Sequence, residues 1–344
     1  MKPYLFRGVR ALKVTRRASL VVLLIVLLGG MLFGAGSEYT VVKGDTLWEI
    51  AKAYGVDWKE IAELNGITDE FALQVGTVLK IPAAYTELSV MIPNIDHEIP
   101  AVICIPNGDG PFPLVVMLHG TGSDKNEAGG GYLLAAPALA KAGIASVRFD
   151  FIGNGESTAD YINYNFTSAI DDTNIAFAYA ASLPRVDGHR AGIMGWSQGG
   201  TIALLAAGQN PAYKSVLCWA GAPDLSGVGS LEAYEIAKQN GYYELTFEWR
   251  SPLKLGLQWF DEAYGTDVLQ VFSNSSAPVL AINGSEDTVV DPVNAQRIVD
   301  ASKNEKSKVL IIEGADHTFN IFTGDMTAFN QLIEATVDWF SKTL

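Results

Sequence analysis

Metal ligands and basic residues are both scarce in this chain. Its 344 residues include two cysteines and four histidines, and neither a His-Glu-x-x-His run nor a cysteine cluster offers the spacing of a metal site. No Gly-x-x-x-x-Gly-Lys loop is present to cradle a nucleotide phosphate, and Gly153-Asn154-Gly155 lacks the full dinucleotide fingerprint and reads as a turn. No metal and no other cofactor is expected. Lys and Arg number 24 against 38 Asp and Glu, a formal net charge of −14. Such a surface repels nucleic acid, and an anionic ligand would need local compensation. Cys104 and Cys218 each lie inside an apolar run and read as small core residues rather than a bridge.

Positive charge is concentrated where acid is missing. Residues 1–37 hold Lys2, Arg7, Arg10, Lys13, Arg16 and Arg17 and no carboxylate. The segment from Ala18 to Gly36 then carries no charge, and nineteen helical residues span nearly 30 Å, a bilayer's hydrocarbon thickness. A transmembrane helix that tethers the chain to the membrane and a cleaved signal peptide both fit. Small residues at Gly34 to Ser37 suit a cleavage enzyme, although no clean Ala-x-Ala occurs. Under either reading, everything after Ser37 is extracytoplasmic, membrane-anchored or secreted and associated with the cell wall.

Residues 38–82 form a small unit. Thr40 to Val42 reads as a strand, Asp45 or Thr46 can cap a helix from Leu47 to about Tyr54, and Gly55 can end it. Trp58 to Leu64 repeats the helical pattern and Val78 to Ile81 supplies a returning strand, giving a βααβ order. Trp48, Tyr54 and Trp58 read as core aromatics of a very small domain. The Tyr39 to Lys43 start, the Gly44-Asp45-Thr46-Leu47 turn, Asn65-Gly66 and Gly76 to Pro82 resemble the LysM family. That resemblance implies a module binding peptidoglycan or chitin-like glycan, with sugar in a groove near Gly44, Asp45, Thr46, Leu47, Asn65, Gly66 and Ile67.

From residue 83 to 344 short β-rich runs alternate with helical patterns, which argues a mostly parallel sheet covered on both faces. Eight strands are expected, near 89–92, 99–105, 114–118, 145–149, 191–194, 215–219, 279–282 and 309–312. Ile193 and Met194 run through Gly195 into Trp196-Ser197-Gln198-Gly199-Gly200 and a helix. This strand–corner–helix Gly-x-Ser-x-Gly is a nucleophile elbow, whose small residues let Ser197 stand exposed in a strained conformation. Two more elements follow in the order Ser, Asp, His: Asp287 after one late strand and His317 after the next. In that chemistry His317 takes the Ser197 proton while Asp287 orients the imidazole. Glu286, Asp291 and the more remote Asp224 compete for the carboxylate role. His119-Gly120-Thr121-Gly122 ends an earlier strand, so the Thr121 and Gln198 backbone N–H groups can form an oxyanion hole. His119 reads as a brace for that loop, with Gly120, Gly195 and Gly199 structural beside it. His97 and His189 read as surface residues.

These motifs together resemble the α/β-hydrolase superfamily. Arg148 to Ser157, Glu286 to Val290 and Glu313 to His317 resemble bacterial cinnamoyl and feruloyl esterases and serine aminopeptidase-like relatives, except that Trp196 and Asn154 stand where those usually have His. The resemblance implies a serine esterase acting on a small acyl ester, or alternatively a peptidase, or a wall-binding protein that has lost activity. It also implies a helical cap over Ser197 at about 225–276, where aromatic residues such as Trp249 and Trp259 either line a pocket or pack the cap itself.

Overall fold

The computed structural model describes residues 31–33, 36–69, 73–225 and 229–344. The basic segment and the apolar run through residue 30 lie outside the described residues. Met31–Phe33, the end of the predicted membrane segment, pair as a short antiparallel strand with Thr86 to Leu88. Those three residues are therefore strand rather than helix, consistent with an exposed sheet edge recruiting a neighbouring strand. Among the described residues no helix is long and apolar enough to cross a membrane.

Residues 37–81 have the expected βααβ order. Strand Ser37–Thr40 pairs antiparallel with Val78–Ile81, and helices Leu47–Tyr54 and Trp58–Leu64 lie between them. The first strand ends at Thr40 instead of starting there, and buried Val41 still bonds the neighbouring segment, its N–H donating to the Thr77 carbonyl at 2.9 Å and its carbonyl accepting from Gly76 N–H at 2.8 Å. Thr46 is the cap, its hydroxyl accepting from Glu49 N–H at 3.1 Å, and Gly55 closes the helix at φ 69°. Leu47, Ile50, Ala51, Ile61, Leu79 and Ile81 make the core. Trp48 does not join it: the helix turns it outward, 59% exposed, with the Lys52 ammonium 5.2 Å from its ring centre.

The large domain is built on β1 (Tyr85–Pro93), β2 (Glu98–Pro106), β3 (Phe112–Leu118), β4 (Ala145–Phe149), β5 (Val186–Trp196), β6 (Tyr213–Trp219), β7 (Val279–Gly284) and β8 (Lys308–Ile312). Their spatial order is β1-β2-β4-β3-β5-β6-β7-β8, parallel from β4 onward, and Met31–Phe33 adds a ninth strand beside β1. Alternation along β3 explains the two cores: Leu114, Val116 and Leu118 face one layer while Val115 and Met117 face the other. Helices α1 (Gly131–Lys141) and α8 (Thr327–Thr343) cover the second face. The first is covered by α2 (Phe166–Ala181), α3 (Gln198–Gln209) and α7 (Val293–Ala301). Between β6 and β7 an insertion holds α4 (Leu231–Asn240), the hairpin Tyr242–Leu245 with Leu253–Gly256, α5 (Leu257–Gly265) and α6 (Val268–Phe272). Cys104 and Cys218 are free and buried, and burial pushes both thiols up to about 12.

The two domains touch. Asn107 takes hold of the connection, accepting from Thr86 and donating to the Ala83 carbonyl at 2.7 Å. A side chain added at Gly55 would begin 2.6 Å from the Cβ of Lys141 on α1.

Candidate active site

The parallel strands end together, and their carboxyl ends carry the predicted site. At the end of β5, Ser197 has φ 54° and ψ −120°, a left-handed conformation strained for a residue with a Cβ. Its N–H donates to the Trp219 carbonyl at 2.8 Å, and its carbonyl accepts from Gly200 at 2.9 Å. The corner closes only because its neighbours have no side chain. A Cβ on Gly195 would lie 2.0 Å from the Gly199 oxygen, and one on Gly199 would lie 2.1 Å from the Leu118 oxygen.

Asp287 and His317 meet on loops stitched to each other. Glu286 N–H donates to the Ala315 carbonyl at 2.9 Å, and a Cβ on Gly284 would lie 2.1 Å from that same oxygen. His317 Nδ1 lies 2.8 Å from Asp287 Oδ2. The other carboxylate oxygen accepts from the Val289 and Val290 N–H groups, both at 2.8 Å, so Asp287 is buried with its orientation fixed. A carboxylate can only accept, so the network assigns the Nδ1 proton to His317 and leaves Nε2 as its base. Of the competing acids, Glu286 is exposed, and Asp291 is exposed and accepts from Val293 N–H at 2.9 Å where α7 begins. Among the described residues no hydrogen bond joins Ser197 Oγ to His317. They are linked through the last residue of β5, since Trp196 Nε1 donates to the His317 carbonyl at 3.1 Å. Trp196 also packs against Trp219, Phe319 and Phe329.

The loop after β3 comes up beside the elbow. A Cβ on Gly120 would lie 3.4 Å from Ser197 Cβ, and the Thr121 hydroxyl donates to Gln198 Oε1 at 2.8 Å. The two residues expected to supply oxyanion N–H groups are thus tied together by their side chains. His119 is 1% exposed, with Nδ1 2.9 Å from the Gly120 carbonyl and Nε2 accepting from Phe151 N–H at 3.2 Å. Burial lowers its pKa, so it braces the loop as a neutral ring. Glu127 gives a second support that the sequence did not mark. Its buried carboxylate accepts from Gly120 N–H at 2.6 Å and from Ala128 N–H at 2.9 Å, and burial pushes its pKa up to about 7.

Away from this site, His97 is half-buried, its side chain 6% exposed, and not a free surface residue. Its ring lies between Asp96 at 2.7 Å and the buried Asp172 at 2.9 Å, on the wall of a cleft of about 570 Å³. Burial alone would lower the His97 pKa, but its bonds and charge interactions with the two carboxylates outweigh that and raise it. His189 is exposed, as expected.

In the small module Gly44 and Gly66 have positive φ and open space around them. Their neighbours hold the fold. Asp45 accepts from Tyr39 OH and Val42 N–H, Leu47 is buried, and Ile67 packs on the core. Asn65 bonds both the N–H and the carbonyl of Lys80. Among the described residues no hydrogen bond joins the Gly44 to Leu47 turn to Asn65, Gly66 or Ile67. No group of three or more His, Cys, Asp or Glu able to hold a metal ion occurs among the described residues.

A mostly parallel sheet whose fifth strand turns through a strained serine into a buried helix, with an Asp–His pair on the last two loops, defines an α/β-hydrolase. Comparison with known proteins narrows the class. The prolyl oligopeptidase family model matches residues 134–344, and the chain belongs to that family. A LysM domain model matches residues 39–82. Over 132 residues the chain is 33% identical to the 2,6-dihydropseudooxynicotine hydrolase of Paenarthrobacter nicotinovorans, covering 37% of this chain and 33% of that one. It is 47% identical over 47 residues to the murein hydrolase activator NlpD of Escherichia coli (strain K12), 14% of this chain and 12% of that one. It thus spans a third or less of either relative. The fold is similar to that of Est1E from Butyrivibrio proteoclasticus, solved with ferulic acid, at a TM-score of 0.61 and 20% identity over 74% of this chain and 98% of that one.

Proposed function

We propose that this hydrolase cleaves carboxylic esters through a Ser197, His317 and Asp287 triad, outside the cytoplasm and held on wall glycan by its LysM module. The observation that carries the reading is the 2.8 Å bond from His317 Nδ1 to a buried, fully ligated Asp287, on a loop bonded to the residue before a strained Ser197. In this mechanism His317 Nε2 takes the Ser197 proton as Oγ attacks the ester carbonyl. The Thr121 and Gln198 N–H groups receive the developing oxyanion. Collapse expels the alcohol, which leaves with the proton from His317. Water, deprotonated by the same imidazole, then releases the acid and restores the serine.

The name of the murein hydrolase activator that shares the LysM segment supports peptidoglycan as the glycan, and a basic then apolar amino end supports export by anchor or signal peptide. The glycan site would lie at the open Gly44 and Gly66 turns. A second reading, amide hydrolysis, is favoured by the family match over residues 134–344. Parallel assays with p-nitrophenyl esters and aminoacyl p-nitroanilides separate the two. Ser197→Ala should lower ester turnover by at least a thousandfold and abolish labelling by a fluorophosphonate probe. Undiminished hydrolysis by the purified variant would reject the mechanism.

A further inference from the structure

The insertion brings one cation to the oxyanion loop without an acid to match it. Arg250 donates from Nη1 to the carbonyl oxygen of Gly122, the residue after Thr121, and its guanidinium lies 5.9 Å from the ring centres of both Phe247 and Trp249. Among the described residues no carboxylate forms an ion pair with it. Its Nε is buried without a hydrogen-bond partner. So is the hydroxyl of Tyr161, a residue only 5% exposed. The two share one electrostatic neighbourhood: burial raises the phenol's pKa, and the Arg250 charge pulls it the other way.

Two desolvated donors with nothing to donate to are costly. A ligand oxygen removes that cost. Nη1 is occupied, which leaves the Nε–Nη2 edge of the guanidinium, and that edge matches the two oxygens of a carboxylate. The Gly122 contact places Arg250 on the loop that runs beside Ser197. Gly122 is two residues beyond Gly120, whose Cβ would lie 3.4 Å from Ser197 Cβ, and two residues reach at most about 7 Å. The carrier of such a group must also overcome the repulsion of a chain with net charge −14, and an unpaired guanidinium supplies that compensation where it is needed.

We propose that Arg250, assisted by Tyr161, binds a free carboxylate on the substrate, so that the preferred esters are acidic ones, such as hemiesters of short dicarboxylic acids. This rests on the ester-hydrolase reading above. The test compares p-nitrophenyl hemiglutarate with p-nitrophenyl pentanoate, esters of equal acyl length that differ in one carboxylate, using the full chain. The expected kcat/KM ratio favours the hemiglutarate at least tenfold. Arg250→Met should lower that ratio at least tenfold, Tyr161→Phe about threefold, and Arg250→Lys should retain part of it. A ratio unmoved by Arg250→Met, with both esters slowed alike, would overturn the proposal and leave Arg250 as a brace for Gly122.

Fluorophosphonate labelling of Ser197 reports whether each variant keeps a folded site. If the parent is labelled but cleaves neither ester, the ester reading fails, and the carboxylate site is then read by calorimetric titration with monomethyl glutarate. Binding that Arg250→Met abolishes would support it. No binding by the parent would sink it.

Discussion

Glu127 shows how much one side chain contributes to the loop beside Ser197. Few residues other than glycine adopt its φ of 62°, and its carboxylate must lie in the core to reach the Gly120 N–H. Its pKa rises from 4.5 to about 7, so the folded state prefers the protonated acid. The sign follows: the stability this group contributes is full below pH 4.5 and is lost as the pH rises through about 7. That rise corresponds to about 3 kcal/mol. Glu127→Gln cannot ionise, so the stability gap between parent and variant should move by up to that amount in the variant's favour from pH 4.5 to pH 8. Urea denaturation at both pH values measures it, and a gap independent of pH would contradict the burial argument. Asp172, pushed up to about 6 by burial, is present in both proteins and cancels in the comparison.

Among the elements, the β5–α3 corner is the least tolerant of change. Gly199→Ala would set a methyl group 2.1 Å from the Leu118 carbonyl, a backbone atom that cannot swing aside. Such a variant should lose more than about 4 kcal/mol of stability or fail to fold, whereas Gly143→Ala, with nothing within 4 Å, meets only the strain of its φ of 79°. Comparing their denaturation midpoints checks the difference. This corner was legible in the sequence because its constraint is local: glycines at fixed offsets between an apolar run and a helix. The eight strands were legible for a similar reason, since β-branched runs buried on both faces need no partner to be recognised. What escaped depends on contacts distant in the chain. Glu127 looks like a loop acid until the fold brings Gly120 over it, and Arg250 looks like a cap surface charge until Gly122 is seen beneath it. His97 reads as polar turn material because Asp172, 75 residues away, supplies the other half of its burial. Trp48 erred the other way, since a small domain's need for aromatics did not reveal which helix face the Trp would occupy.

At the scale of the whole molecule, the hydrolase fold and the LysM module have separate cores, so the proposed catalysis and retention should be separable. The full chain should sediment with insoluble peptidoglycan, and Ser197→Ala should sediment equally well despite its thousandfold loss of ester turnover; a loss of binding in that variant would mean the hydrolase site itself grips the polymer. The connection between the domains limits how they can cooperate. Ala83 and Thr86 are both bonded to Asn107, and Gly55 abuts Lys141. A long flexible tether lets an enzyme sweep a volume around its anchor point. Here the join is a bracket rather than a leash, so if the small domain grips a polymer, its grip would set the angle and height at which Ser197 meets its surroundings. The enzyme would work a narrow stratum beside its foothold, and substrate would have to diffuse to it or the foothold would have to be released and remade.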